Sequence, residues 1–277
     1  MKSFQQLIAL FLLFYFCSLN TYGQKASRDG VPKYVTVSYQ YWDLEESDLD
    51  LNTWKMGEQE YFDKVTSKNE YIRSSTYYLH RFSDDSSEIL LVQSFNSWED
   101  IDKSANRNSA LEIEAWPNKE ERLVFLKKMS SFFQLYHSDE IYASLPQIKP
   151  LTEFATPEKE LLLYVRRSHF SKNGNGPDAE FESLQKLYLD KIFKKNEYIK
   201  GYYANVHAWG SDKTEFIEAF YVRSYADLDQ MFIKNDELLA KAWENQSDKL
   251  RMDKRYASYF TGKHGDFIYV AVPEFSK

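Results

Sequence analysis

An internal duplication constrains the fold of this chain more than any other feature of its sequence. When the sequence is shifted by 127 positions, Tyr34–Pro146 aligns without gaps with Leu161–Pro273, and about 28 pairs are identical. A single register that holds across every loop predicts two copies of one unit. The predicted segments are a signal peptide (1–23), an N-terminal tail (24–33), a first unit (34–146), a linker (147–160) and a second unit (161–273).

Each copy shows the same order of predicted elements, which is strand, helix, strand, strand, helix, strand. In the first unit, strands are predicted at Tyr34–Trp42, Ile72–Phe82, Glu88–Phe95 and Asp139–Leu145, and helices at Thr53–Lys68 and from Ser97 to about Phe133, with a break near Pro117. In the second unit, strands are predicted at Leu161–His169, Ile199–Trp209, Glu215–Val222 and Asp266–Val272, and helices at Ala179–Lys195 and from Ser224 to about Phe260. The single register also places His169 in the position of Trp42.

The second helix of each copy has an N-terminal signature. Ser97 precedes Asp100 by three residues, and Ser224 precedes Asp227 in the same way. A hydroxyl at the cap with an acid three residues later satisfies free backbone N–H groups and suits the helix dipole. Both positions are therefore predicted to begin a helix.

A β-α-β-β-α-β unit is the ferredoxin-like pattern. The duplicated order, the aromatic helix after strand three and the closing His-x-Asp-x-Ile-Tyr…Pro strand resemble the dimeric α/β-barrel superfamily. The resemblance covers nearly all of the chain beyond the signal peptide. It implies an α+β fold in which two ferredoxin-like units form a pseudo-dimeric α/β barrel, with antiparallel sheets inside and helices packed outside. The superfamily includes antibiotic-biosynthesis-type monooxygenases, haem-degrading enzymes, chlorite-dismutase-like haem proteins and many members of unknown role.

The N-terminus predicts export. A nearly uncharged run from Phe4 to Cys17 follows Lys2, and Thr21-Tyr22-Gly23 places small residues at positions −3 and −1 of a cleavage site. This pattern is typical of a signal peptide, with an uncleaved N-terminal anchor as the alternative. Cleavage predicts a periplasmic or extracellular protein without cysteine, which excludes disulfides, thiolate metal sites and a cysteine nucleophile.

The composition of the chain limits the classes of molecule that it is expected to bind. The formal net charge is −7 and no basic stripe is present, which argues against nucleic acid. No later apolar run approaches the length of a membrane helix. Aromatic residues make up 17% of the chain, enough to line a cavity for a small apolar or aromatic molecule or to fill a core. Association beyond the intramolecular pseudo-dimer is left open.

Four histidines occupy equivalent positions in the two copies. His80 aligns with His207, and His137 aligns with His264. In the fold that the chain resembles, strand two of one unit borders strand four of the other, so that His80 is expected near His264 and His207 near His137. Glu88 and Glu215 begin the adjacent strands and are the candidate carboxylates. Histidine with a nearby carboxylate suits a general base or a ligand, although such histidines can also stabilise a helix end or a strand end.

Trp116 and Trp243 lie within the second helical region and are further candidates to line a ligand pocket, with packing of that helix on its sheet as the alternative. In haem-degrading relatives this helix carries the axial histidine, but no histidine occurs here between Ser97 and Gln134 or between Ser224 and Lys263. His137 and His264, just beyond it, are the remaining candidates for a haem ligand. Haem or a metal ion is therefore left open as a cofactor. No histidine spacing typical of a metal site is present, so no metal ligands are assigned.

Two functions remain open. The first is a non-catalytic protein that binds a small molecule or a partner, favoured because no complete catalytic constellation is visible in the sequence. The alternative is an oxygenase-like or haem-handling enzyme that uses the paired histidines. Nucleophile motifs and glycine-rich phosphate loops are missing, and the chain has nine glycines. Common hydrolase and nucleotide-enzyme families are thereby disfavoured.

Overall fold

The computed structural model describes residues 30–44, 50–151, 155–156, 159–172, 177–243 and 245–277. The predicted signal peptide, most of the N-terminal tail and part of the linker lie outside these ranges, so export stays a prediction. Among the described residues, no helix has both the length and the apolar character needed to cross a membrane.

The two halves have the same order of elements. The first half consists of β1 (Tyr34–Tyr41), α1 (Leu51–Lys64), β2 (Ser74–Phe82), β3 (Glu88–Phe95), α2 (Trp98–Ala115), α3 (Lys119–Ser130) and β4 (Ser138–Ser144). The second half consists of β5 (Leu162–Phe170), α4 (Ala179–Lys191), β6 (Gly201–Trp209), β7 (Glu215–Val222), α5 (Tyr225–Ala242), α6 (Gln246–Ala257) and β8 (Phe260–Ala271). A short 3₁₀ turn follows α1 and another follows α4.

The strands form one closed antiparallel barrel in the order β1-β3-β2-β8-β5-β7-β6-β4. Strand β2 of the first half pairs with β8 of the second, and β4 pairs with β6. The predicted arrangement, in which strand two of one unit borders strand four of the other, is therefore present. The α+β class and the antiparallel sheet are confirmed, while the origin of the halves by duplication and the unit boundaries stay predictions.

The second helical region is divided into two helices in each half, and in the first half the break falls near Pro117 as predicted. Pro117 lacks a backbone N–H and restricts Trp116 before it, so α2 ends there and the side chain of Asn118 caps α3. Ser97 and Ser224 accept hydrogen bonds from the backbone N–H groups of Asp100 and Asp227 at 3.1 Å, which confirms both predicted caps.

The single register predicted for the whole repeat is wrong for strand one. Tyr41 pairs with Glu88 in the first half, whereas His169 pairs with the equivalent Glu215 in the second. His169 therefore corresponds to Tyr41 and not to Trp42, a shift of one residue. The reason is visible in the sequence, because every identity in the 127-residue register lies at or beyond Tyr61.

This shift decides which side chains lie inside the barrel, since neighbouring residues of a strand point to opposite faces. Tyr39 and Arg167 occupy equivalent interior positions, and Arg167 Nη2 donates a hydrogen bond to Tyr39 Oη at 2.9 Å. On the opposite face, Trp42 packs edge-on against Trp54 of α1, and Phe170 packs in the same way against Phe181 of α4. Ligand contacts are thus available on two kinds of surface, the barrel interior and the sheet faces beneath the helices.

Candidate functional site

A cavity of about 540 Å³ lies between the sheet of the first half and its helices. Strands β1, β2 and β3 form its floor, α1, α2 and α3 form its walls, and the segment after α3 surrounds its mouth. Leu135 and His137 line this mouth and are exposed to solvent. A volume of this size is in the range of sites for small molecules.

The second half fills the equivalent space with aromatic rings. Thr66, Ser75 and Gln93 line the cavity in the first half. Their counterparts 127 residues later are Phe193, Tyr202 and Phe220. The ring of Tyr202 lies 4.7 Å from that of Phe193 and 4.8 Å from that of Phe220. Among the described residues, the small and polar side chains of the first half thus leave open a space that rings occupy in the second half.

We expect that the cavity will close when its small and polar residues are replaced by the large residues at the equivalent positions of the second half. In the double variant Ser75→Tyr, Gln93→Phe, two rings would occupy the volume that a ligand needs, and the binding of the neutral dye 1-aminoanthracene should fall at least about tenfold. Dye fluorescence measures this, and a circular dichroism melt checks that the fold is retained. Gln93→Met is the control because it adds no ring, and it should keep dye binding. Unchanged dye binding in the folded double variant would place the binding site elsewhere.

The cavity contains a buried carboxyl group. Glu58 lies on α1 in register with Trp54 and Phe62, and it is only 9% exposed. Burial raises the pKa of Glu58 to about 7, although a hydrogen bond with Tyr77 of β2 acts in the opposite direction. Burial, together with the charge of Glu58, holds the pKa of the Tyr77 phenol well above its ordinary value. Glu58 can therefore exchange a proton near neutral pH, while Tyr77 remains a hydrogen-bond donor.

The C-terminal residues of the chain complete the wall beside this pair. Phe275 is buried and packs edge-on against Trp54 and Tyr77, with ring centroids 5.3 and 5.7 Å away. Backbone hydrogen bonds in both directions join Lys277 to Ser75, at 2.8 and 3.2 Å. The tail thus belongs to the second half in sequence but closes the cavity of the first half.

The barrel interior contains a second polar group of residues, which spans both seams between the halves. Tyr142 Oη donates to Glu215 at 2.7 Å, and Tyr269 Oη donates to Glu88 at 2.8 Å. Arg167 Nε lies 3.4 Å from Glu215 Oε1. Burial acts to lower the pKa of Arg167, but the oxygens of Tyr39 and Glu215 outweigh it, and the net shift is upward. Both candidate carboxylates are therefore held by tyrosines inside the barrel and not in the cavity.

The predicted histidines lie apart from the buried carboxyl group of the cavity. A tyrosine stands opposite each strand-two histidine, Tyr269 opposite His80 and Tyr142 opposite His207. His80 Nδ1 bonds the hydroxyl of Ser83 at 2.8 Å, and His207 Nε2 is buried without a partner among the described residues.

The other two histidines are exposed, and each pairs with the acid two residues later. His137 Nε2 lies 3.3 Å from Asp139, and His264 Nε2 lies 3.2 Å from Asp266. His80 therefore meets Tyr269 instead of His264 at its seam. Of the four histidines, His137 alone is among the residues that line the cavity.

The two tryptophan candidates pack between helices. Trp116 is buried and stacks on Phe125 of α3 at 4.4 Å, with Lys64 Nζ 4.7 Å above its ring. Trp243 packs against Tyr188 at 5.8 Å. In both halves this residue joins the second helical region to the first helix, and neither ring lines the cavity.

The side chains that line the cavity do not fit haem. An axial ligand must approach the iron from inside the pocket, and haem propionates need cationic or other strong donors. The single histidine of the lining, His137, lies at the mouth with its side chain 57% exposed and its Nε2 beside Asp139. The lining includes neither lysine nor arginine. Among the described residues, no cluster of three or more His, Cys, Asp or Glu side chains could hold a metal ion.

Sequence reasoning overlooked Glu58, Tyr77 and Gln40, which carry the polar chemistry of the cavity. Two signals could have found Glu58 and the cavity around it, but neither of them marks Tyr77 or Gln40, whose counterparts are Ala204 and Ser168. Glu58 interrupts the apolar stripe of α1, and a comparison of the halves shows small or polar residues in the first half where the second has rings. Residues that are identical in both halves, such as the paired histidines, carry no signal of a cavity that depends on differences between the halves.

No protein-family model matches the chain, and no curated protein matches it. Several solved structures share its fold. A protein from Fusobacterium nucleatum subsp. nucleatum ATCC 25586 described as a monooxygenase superposes with a TM-score of 0.54 at 9% identity, over 87% of this chain and 93% of that chain. An anthrone oxidase-like protein superposes with a TM-score of 0.50 at 12% identity, over 87% and 92%.

A further protein described as a monooxygenase, from Lactobacillus acidophilus NCFM, superposes with a TM-score of 0.50 at 6% identity, over 88% of this chain and 95% of that chain. These neighbours are dimeric α/β-barrel proteins, so the resemblance seen in the sequence is confirmed for the fold. At such low identity the likeness concerns the fold alone.

Proposed function

We propose that this chain is an oxygenase-like enzyme in which Glu58 acts as a general base on a small organic molecule bound in the cavity of the first half. The observation that carries the proposal is a buried carboxyl group, with its pKa raised to about 7, in a pocket that opens to solvent. A general base works best when its pKa is close to the operating pH. A strongly perturbed group inside a cavity is also a typical mark of a functional site.

The non-catalytic binding function favoured from the sequence rested on the lack of a catalytic constellation. Glu58 and Tyr77 supply one, because they form a base and a hydrogen-bond donor in contact with each other. The fold neighbours described as monooxygenases support the enzymatic alternative over a simple binding role. The proposed enzyme takes the oxygenase-like form of that alternative, since the cavity does not fit haem.

The proposed reaction uses dioxygen and a substrate with a weakly acidic C–H bond, such as the ring CH₂ of an anthrone. Ionised Glu58 removes one proton, and the resulting carbanion transfers an electron to dioxygen. The radical pair combines to a peroxide anion, which the Glu58 carboxyl protonates. Loss of water with the second C–H proton leaves a ketone, so that CH₂ and O₂ give C=O and H₂O. Tyr77 orients the carboxylate throughout.

Dioxygen uptake with anthrone as the probe tests this function. Wild type is expected to accelerate uptake above the uncatalysed rate, with a rate that rises with pH through about 7 as Glu58 ionises. Glu58→Gln should lower the rate about 100-fold, since a general base typically contributes a factor of this order or more. An oxygen electrode gives the uptake, and the absorbance of anthraquinone gives the product.

The second half supplies the control. Glu218 is also buried, and it accepts a hydrogen bond from Tyr202 at 2.8 Å, but the rings of Tyr202 and Phe220 occupy the space that corresponds to the cavity. Glu218→Gln should therefore keep the wild-type rate. Equal loss of activity in both variants would refute a specific role for Glu58. The non-catalytic binding role would be supported if anthrone binds tightly but dioxygen uptake does not exceed the uncatalysed rate.

A further inference from the structure

One acceptor in the cavity has no donor. Gln40 lies on β1 and lines the cavity, and its Oε1 atom is buried without a hydrogen-bond partner among the described residues. A buried acceptor that is left unpaired costs free energy, which a ligand recovers when it brings a donor. The other amide of the floor is already partnered, because Gln93 Nε2 donates to Ser75 Oγ at 3.2 Å. Gln40 Oε1 is therefore the buried acceptor of the floor that no described residue satisfies.

The charges of the cavity favour neutral ligands. Its lining includes the carboxyl group of Glu58 but no lysine or arginine. His137 at the mouth lies 3.3 Å from Asp139, so its charge when protonated is already offset. An anionic ligand would have to leave water and would find neither lysine nor arginine in the lining to offset its charge, and both are unfavourable.

We infer that the cavity selects neutral molecules that donate a hydrogen bond, and that Gln40 Oε1 is the atom that selects them. This inference rests on the proposed function in one respect, since it assigns the substrate class of the same site. A volume of about 540 Å³ accommodates a molecule of a few rings. Gln40 is thus a specificity-determining residue, which favours an anthrone with a hydroxyl group over anthrone itself, and Glu58 carries out the proton transfer.

Calorimetric titration with three matched probes at pH 6 tests the inference. The probes are 2-naphthol, which is a neutral donor, 2-methoxynaphthalene, which is neutral without a donor, and 2-naphthoate, which is an anion of similar size. Wild type should bind 2-naphthol about tenfold more tightly than either of the other two, the preference expected of one buried hydrogen bond. Naphthoate affinity equal to that of 2-naphthol would overturn the neutral selectivity, and undetectable 2-naphthol binding would overturn the whole inference.

Two variants test which residue is responsible for the preference for 2-naphthol over 2-methoxynaphthalene. Gln40→Met removes the acceptor at nearly constant volume and should reduce the preference for 2-naphthol over 2-methoxynaphthalene to about twofold, with the affinity for the ether unchanged. Gln147→Met makes the same chemical change at a glutamine whose Oε1 is also buried without a partner among the described residues but which does not line the cavity, and it should keep the full preference. A preference that survives in Gln40→Met would overturn the role of Gln40.

These titrations do not depend on turnover. A preference that disappears in Gln40→Met, together with no catalysed dioxygen uptake, would support the ligand class and refute the enzymatic proposal. Catalysed dioxygen uptake without a preference for 2-naphthol would support the enzymatic proposal and refute the ligand class.

Discussion

Replacing Glu58 with glutamine is expected to raise the free energy of unfolding by about 3 kcal/mol at pH 8 and to change it little at pH 4. Burial raises the pKa of this carboxyl group from 4.5 to about 7. Each unit of difference between folded and unfolded states corresponds to about 1.4 kcal/mol. The unfolded chain ionises near pH 4.5, whereas the folded chain keeps its proton until about pH 7. Wild type therefore loses stability relative to the variant across this window, and the difference is constant above it.

Urea denaturation of the ligand-free protein between pH 4 and pH 8 measures the effect. Glutamine keeps an acceptor for Tyr77, so the variant removes the charge without removing the hydrogen bond. Glu60→Gln on the same helix is the control, because that side chain is exposed and pairs with Lys64 one turn later. Its effect should stay within about 0.5 kcal/mol at every pH. A Glu58→Gln difference that does not vary with pH would show that the carboxyl group is not held neutral by burial.

The loss of stability that ionisation of Glu58 causes is consistent with a functional site. A charge in a cavity destabilises the half that contains it, and such exceptions to good packing are expected where a protein acts on a ligand. The second half packs the equivalent positions differently. Gln185 replaces Glu58 and donates to Tyr256 Oη at 2.7 Å, and Tyr202 and Phe220 occupy the space of the cavity.

Most of the fold could be predicted from the sequence because its signals are local. Strand alternation, the hairpin turns and the caps at Ser97 and Ser224 depend on neighbouring residues, and the structure has them. The start of β8 at Phe260 was missed, since the predicted helix ran to that residue. The register of strand one was missed as well, because the loop after it differs in length between the halves and the two strands have diverged.

The candidate site could be predicted less well, for a physical reason. Residues identical in both halves, such as His80 and His207, were the natural candidates, yet a ligand site that exists in one half is defined by differences. Ser75 and Gln93 leave room for a cavity in the first half, whereas their counterparts in the second half, Tyr202 and Phe220, are rings that fill the equivalent space. A pairwise comparison of volume and polarity between the halves would have identified this position from the sequence.

Arg167→Met is expected to lower the free energy of unfolding by about 3 kcal/mol. The guanidinium group lies inside the barrel 3.4 Å from Glu215, whose side chain is 8% exposed, and donates to Tyr39. Removing one member of a buried ion pair leaves the other charge without compensation, which typically costs this much or more. The ring contacts with Tyr39 and Phe267, at 5.4 and 5.0 Å, would be lost as well.

The neighbouring arginine provides a control that separates the two registers of strand one. Arg166 points to the opposite face, where its side chain is 40% exposed and lies 3.8 Å from Asp266. Arg166→Met should cost less than about 1 kcal/mol, since exposed ion pairs contribute little. The register shifted by one residue places Arg167 inside the barrel, whereas the ungapped register places Arg166 there. Urea denaturation of both variants at pH 7 decides between them, and a larger loss in Arg166→Met than in Arg167→Met would restore the ungapped register.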